Sequence, residues 1–113
     1  MLKKEVLRDP RDFKAVYNKG KSKADRFVVV FYRPNGRDYT RTCFLASKKV
    51  GNAVERNRAR RLMKESFRLM EDVKTGFDII FIARNTIPGQ KMDSVKKSME
   101  NAARKADLIS RAK

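Results

Sequence analysis

The spacing of apolar positions changes along the chain, and each change predicts an element. Phe13, Val16 and Tyr17 fall at i, i+3 and i+4, one face of a short helix. Asp9-Pro10-Arg11-Asp12 supplies its start. Asp9 can cap, Pro10 fits the first turn, and Asp12 places negative charge near the positive end of the helix dipole. Gly20 is the predicted stop.

Arg26 to Tyr32 then reads as a buried strand, because Phe27, Val28, Val29, Val30 and Phe31 are all β-branched or aromatic. Pro34-Asn35-Gly36 is a turn signal. Tyr39 to Ser47 reads as the next strand, which predicts an antiparallel hairpin of these two. A further short strand fits near Ser22–Asp25. Gly51-Asn52 ends the extended stretch, and a long helix is predicted from about Ala53 to about Met70. Its apolar stripe is Ala59, Leu62, Met63, Phe67 and Met70, with Ser66 inside it. Phe77 to Ala83 is a second short apolar run, predicted as a central strand. Thr86 to Gln90 reads as a loop. Asp93 is the predicted cap of a final helix whose apolar side is Val95, Met99, Ala102, Ala103, Ala106 and Ile109. The order α-β-β-α-β-α, with the extra strand in reserve, predicts an α+β sandwich with helices against one mixed sheet.

Composition narrows the chemistry. The chain has 113 residues, the length of a single domain spanning 1–113. It contains no His, no Trp and one Cys, Cys43. That removes His-based nucleophilic catalysis, an imidazole base, an internal disulfide and a thiolate zinc cluster. A lone Cys suits a reducing cytoplasm, and in a strand it reads as a small buried hydrophobe. Asp25, Asp38 and Asp78 show no metal-binding spacing, so neither a metal nor a cofactor is expected on protein side chains. The longest apolar run, Phe27 to Tyr32, is far short of a membrane span of about 20 residues. No apolar stretch follows Lys3 and Lys4, so no signal peptide is expected.

The net charge of +16 points to a polyanion. It is concentrated: residues 48–68 hold eight basic and two acidic residues. On a helix at about 100° per residue, Asn57, Arg61, Lys64 and Arg68 cluster opposite the apolar stripe. Arg60 and Arg58 flank that cluster, and Arg56 falls near the apolar edge, placed to snorkel or to contact the helix start. A solvated helix face with i,i+4 charge pairs would need carboxylates, and only Glu55 and Glu65 are present. Phosphate compensates such a face well, because guanidinium forks bind it bidentately. A second feature is aromatic: Phe13, Tyr17 and Phe31 either line a groove able to stack unpaired bases or form ordinary core.

The run Ser-Lys-Lys-Val-Gly-Asn-Ala-Val-Glu-Arg-Asn-Arg-Ala-Arg-Arg-Leu-Met-Lys, residues 47–64, resembles the signature of the bacterial ribonuclease P protein subunit. Arg56-Asn57-Arg58 is its core. Asp12-Phe13, Val16-Tyr17, Gly20-Lys21-Ser22 and the strand Phe77 to Arg84 are also similar to that family, so the likeness covers nearly the whole chain. The resemblance implies a four-stranded sheet with a left-handed crossover through the long helix, against the usual hand. It implies binding of the catalytic RNA of ribonuclease P, which itself performs the hydrolysis with bound Mg²⁺. By motif match that RNA would meet Lys48, Lys49, Asn52, Arg56, Asn57, Arg58, Arg60, Arg61 and Lys64. It further implies a central cleft for the single-stranded 5′ leader of precursor tRNA, formed by Phe13, Tyr17 and Phe31 with Lys19 and Arg26 at its rim. Two departures stand out. Ala59 replaces a larger aliphatic residue, and Tyr17 and Phe31 sit where Phe and Tyr are common.

Other classes remain to be weighed. A structural ribosomal RNA-binding protein would share size and charge but would not need an open aromatic groove. A DNA-binding helix-turn-helix would need a second short helix where Thr40–Ser47 reads as strand, so DNA is not an expected partner. The free protein is expected to be a monomer.

Overall fold

The computed structural model describes residues 5–110; the expectation about Lys3 and Lys4 lies outside them. The elements are α1 (Pro10–Lys19), β1 (Lys21–Ala24), β2 (Val28–Pro34), β3 (Arg41–Leu45), α2 (Ala53–Leu69), β4 (Phe77–Ala83) and α3 (Met92–Lys105). The four strands form one mixed sheet in the order β1-β2-β4-β3. β1 and β2 are antiparallel, as are β2 and β4, whereas β3 runs parallel to β4. The architecture is α+β, and the short strand anticipated near Ser22–Asp25 is β1.

The expected hairpin of β2 with β3 does not form. β4 inserts between them, pairing Val30 with Phe81 on one side and Phe44 with Phe81 on the other. The reason lies in β4 itself. Ile79, Ile80 and Phe81 are all buried, so this strand is apolar on both faces and takes the centre. The turn after β2 is tied to the approach to β4 by the Asn35 amide donating to the Gly76 carbonyl at 2.8 Å. The antiparallel hairpin of this region is instead β1–β2, closed by the Asp25 amide donating to the Val28 carbonyl at 2.8 Å.

Strand alternation sends the two faces of the sheet to different partners. Val28, Val30, Tyr32, Ile79 and Phe81 pack against α2 and α3, with Ala59, Met63, Met99 and Ala102. Ile80, with Phe31, Cys43, Leu45 and Ile82 around it, faces Leu7 and Val16. α1 thus lies on the opposite face from the other two helices. Cys43 is half-buried there rather than enclosed, and desolvation still pushes its thiol pKa up.

α2 follows its predicted bounds to within a residue, with Met70 as its C-cap. Ala59 is fully enclosed, so the smaller side chain leaves no exposed gap in the stripe. The final helix departs from expectation at both ends. Lys91, not Asp93, is the N-cap, and it makes no side-chain capping bond. Asp93 lies inside the first turn, where its charge still opposes the dipole. The helix stops at Lys105, and Ile109 lies beyond it in a bridge with Val73. Among the described residues no helix is long and apolar enough to cross a membrane.

Ser66 occupies the core-facing stripe of α2 with its hydroxyl fully buried and without a hydrogen-bond partner. An orphaned buried hydroxyl costs about 1–3 kcal/mol. Ser66→Ala is therefore expected to raise stability by about 1 kcal/mol in a urea titration; a drop of that size would show that the hydroxyl is bonded.

Candidate nucleic-acid interface

The basic face begins with the way α2 starts. Asn52 and Glu55 form a capping box: the Glu55 amide donates to Asn52 Oδ1 at 2.9 Å, and the Asn52 amide donates to Glu55 Oε1 at 3.0 Å. Gly51 makes this possible. Its φ is +147°, and a Cβ there would lie 2.1 Å from Glu55 Oε1. Asn52, expected to contact RNA, is thus committed by its side-chain oxygen to the helix start. Glu55 is likewise spent on the cap and forms no ion pair among the described residues.

The arginines of α2 fall into two groups. Arg56 is half-buried and donates to the Gly51 carbonyl at 2.9 Å, the contact at the helix start foreseen from its angular position. Arg58 donates to the Gln90 carbonyl at 2.8 Å, which ties α2 to the loop before α3. Arg60 donates to Asn57 Oδ1. Arg68 pairs with Glu65, which lowers the carboxyl pKa and raises that of the guanidinium. In contrast, Lys48, Lys49, Arg61 and Lys64 are exposed, and their side chains have no carboxylate partner among the described residues. α2 and its lead-in therefore carry four cations with neither a carboxylate nor a hydrogen-bond partner among the described residues, beside arginines whose own bonds fix their direction.

The opposite face of the sheet carries the aromatic cleft. α1 is capped as its sequence implies, with the Arg11 amide donating to Asp9 Oδ1 at 2.8 Å. Tyr17 meets Phe31 edge-on, ring centroids 4.9 Å apart. Phe13 and Phe31 are half-buried against the Leu7, Val16 and Ile80 cluster, while Tyr17 is 40% exposed. Each ring packs inward and keeps part of its surface exposed. Burial raises the Tyr17 phenol pKa, with Cys43 adding to it, so the hydroxyl stays neutral at physiological pH.

Two devices hold α1 over the sheet. Gly20 ends the helix against β2 so closely that a Cβ would lie 2.4 Å from the Val16 carbonyl oxygen and 2.5 Å from that of Tyr32. The second is ionic. Arg41 grips Asp78 with two hydrogen bonds, Nε to Oδ1 at 2.8 Å and Nη2 to Oδ2 at 2.6 Å, and reaches Asp12 of α1 with Nη1 at 3.0 Å. Asn35 donates a further bond to Asp78 at 3.0 Å. Hydrogen bonding to Asp78 raises the Arg41 pKa above its ordinary value.

This fold has known counterparts. The family model described as Ribonuclease P matches residues 1–107. The chain belongs to the ribonuclease P protein family. The ribonuclease P protein component of Thermoanaerobacter sp. (strain X514) is 47% identical over 98 residues, covering 86% of this chain and 84% of the relative. The solved RNase P protein of Staphylococcus aureus superposes with a TM-score of 0.84 at 32% identity, over 96% of this chain and 100% of that one. That of Thermotoga maritima gives 0.78 at 33% identity, over 87% and 94%. As a ribonuclease P protein, the chain works in tRNA processing and has an RNA partner.

Set against the residues that the family resemblance and, for Arg68, the helical face single out, the structure brings most together. Lys48, Lys49, Asn52, Arg56, Asn57, Arg58, Arg60, Arg61, Lys64 and Arg68 all lie on α2 or its lead-in. Phe13 and Phe31 pack on one cluster between α1 and the sheet and Tyr17 meets Phe31, with Lys19 exposed at the end of α1. Arg26 is the exception. Its guanidinium sits 5.6 Å above the Phe27 ring, and Phe27 belongs to the α3 side of the sheet. It is not part of the cleft rim, because the β1–β2 turn directs it to the other face. Arg33, which the sequence reading does not single out, lies two residues beyond Phe31 on β2 and so shares its face. The alternation of β2 is the signal that locates it. Among the described residues no group of three or more His, Cys, Asp or Glu is placed to hold a metal.

Proposed function

We propose that this chain binds the catalytic RNA of ribonuclease P through α2 and the single-stranded 5′ leader of precursor tRNA through the α1 cleft. In doing so it aids Mg²⁺-dependent endonucleolytic removal of the leader in the cytoplasm. The RNA holds the Mg²⁺ and performs the hydrolysis; the protein supplies no catalytic side chain. The observation that carries this reading is the pairing of two surfaces on opposite faces of one sheet. One is a helix whose exposed cations lack partners among the described residues, and the other is a group of three partly exposed aromatic rings between α1 and β2. The first suits a phosphate backbone and the second unpaired bases.

Each surface has its own test. Arg61 is exposed and has no partner among the described residues, so Arg61→Ala is expected to weaken binding of the catalytic RNA and to reduce the slope of log affinity against log salt by about 0.7–0.9. An unchanged slope counts against a phosphate contact. Phe13→Ala is expected to weaken binding of precursor tRNA to the assembled ribonucleoprotein about tenfold while leaving mature tRNA little changed, since only the former carries bases to stack. Equal losses would reduce Phe13 to a packing residue.

A further inference from the structure

A groove of about 750 Å³ borders the basic face of α2 without belonging to the aromatic cleft. Its volume falls within the range of about 300–1,000 Å³ typical of small-ligand sites. α2 contributes Arg61, Lys64, Glu65, Phe67 and Arg68; β3 contributes Thr42 and Phe44; the extended segment before α1 contributes Glu5 and Val6. That segment is fixed as an added strand on the free edge of β3. The Leu7 amide donates to the Thr42 carbonyl at 2.9 Å, and the Thr42 amide donates to the Glu5 carbonyl at 2.8 Å.

The lining is predominantly apolar. Phe44 and Phe67 are half-buried with ring centroids 5.8 Å apart, and both lean on Phe81 behind them. Val6 is an exposed large hydrophobic residue. The charged groups are unequal. Glu65 is held by Arg68, whereas Arg61 and Lys64 have no carboxylate partner among the described residues, leaving Glu5 as the lone acidic group without such a bond. An apolar, aromatic surface edged by free cations is the combination that receives a base on its flat face and the adjoining phosphates at the rim.

We propose that this groove takes one unstacked base of the catalytic RNA, with Arg61 and Lys64 on the neighbouring phosphates and the Phe44–Phe67 surface against the base. This rests on the reading of α2 as the RNA-binding face and adds to it a base-recognition site. An acidic peptide would satisfy the cations but would leave the two rings without the flat partner that a base provides.

Two measurements test it on the full chain bound to ribonuclease P RNA. Val6→p-benzoylphenylalanine places a photoreactive group at the exposed mouth of the groove. Irradiation is expected to cross-link it to a nucleotide that is unpaired in the RNA. Phe44→Leu keeps an apolar contact on Phe81 but removes the ring. It is expected to weaken RNA binding roughly 5- to 100-fold, the range for one lost base stack, with the salt slope unchanged because no phosphate contact is lost. A purely structural role would lower the melting temperature and leave the affinity of the folded protein intact. Cross-links only to residues 1–4 of the chain itself, or only to paired nucleotides, overturn the proposal, as does Phe44→Leu binding with unchanged affinity. Either result leaves RNA binding by α2 standing. Failure of the unsubstituted chain to bind the RNA would overturn that reading and this one together.

Discussion

Arg41→Met is expected to lower folding stability by about 3–5 kcal/mol, because it leaves Asp78 charged and unmatched inside the protein. Arg41 and Asp78 side chains are only 13% and 9% exposed, so water does little to replace the lost partner. For a domain of this length, such a loss lowers the melting midpoint by roughly 15–30 °C. The substitution also frees Asp12, which loosens the first turn of α1 from the sheet. A double variant, Arg41→Met with Asp78→Leu, is expected to recover more than half of the loss, since the uncompensated charge is gone. If the double variant is as unstable as the sum of the two single ones, the cost belongs to packing and not to the buried charge. Denaturant unfolding of the three variants separates these outcomes.

Gly20→Ala carries the second large effect. The new methyl carbon would meet two backbone oxygens at 2.4 and 2.5 Å, contacts that no side-chain rotation relieves. The strain is steric and not conformational, because the φ of Gly20 is −87°, open to any residue. The end of α1 must move away from Tyr32, at an expected cost of about 1–3 kcal/mol. Tyr17 and Lys19 sit on that last turn, so the cleft should change with it. Gly20→Ala is expected to lose discrimination between precursor and mature tRNA while keeping most of its affinity for the catalytic RNA, which the proposed function assigns to α2. Retained discrimination would show that the cleft does not depend on how α1 is seated. Equal loss on both RNAs would mean that the whole fold has been damaged.

The elements legible in the sequence were those whose determinants are local. α2 was readable because its apolar stripe recurs at helical spacing and Asn52 with Glu55 marks its start. The angle of Arg56 leaves it to snorkel or to contact the helix start, and the Gly51 carbonyl, five residues away, decides for the second. Strand pairing was not readable in this way. β2 and β4 are both apolar on two faces, and nothing in either pattern says which neighbour each takes. Position along the chain suggested β3 for β2, whereas burial gave the central place to β4.

The site divides on the same line. Phe13 and Tyr17 follow from one helix face, and Phe31 follows from the strand that comes next. Arg26 is as near in sequence, but the β1–β2 turn carries it to the other face, and a turn of that kind leaves no periodic mark. The Arg41–Asp78 pair spans 37 positions and leaves only an indirect sign: a carboxylate inside the apolar run Phe77 to Ala83 demands a buried partner. The four unpaired cations were visible as an excess, but which arginines are spent on local bonds emerged only from the geometry.

The proposed function is a division of labour in which the protein holds RNA and the RNA performs the cleavage. The most direct measurement mixes the purified chain with precursor tRNA at low Mg²⁺, with and without ribonuclease P RNA. Removal of the 5′ leader is expected only when protein and RNA are both present. Cleavage by the protein alone, or an RNA whose activity the protein leaves unchanged, would contradict the account.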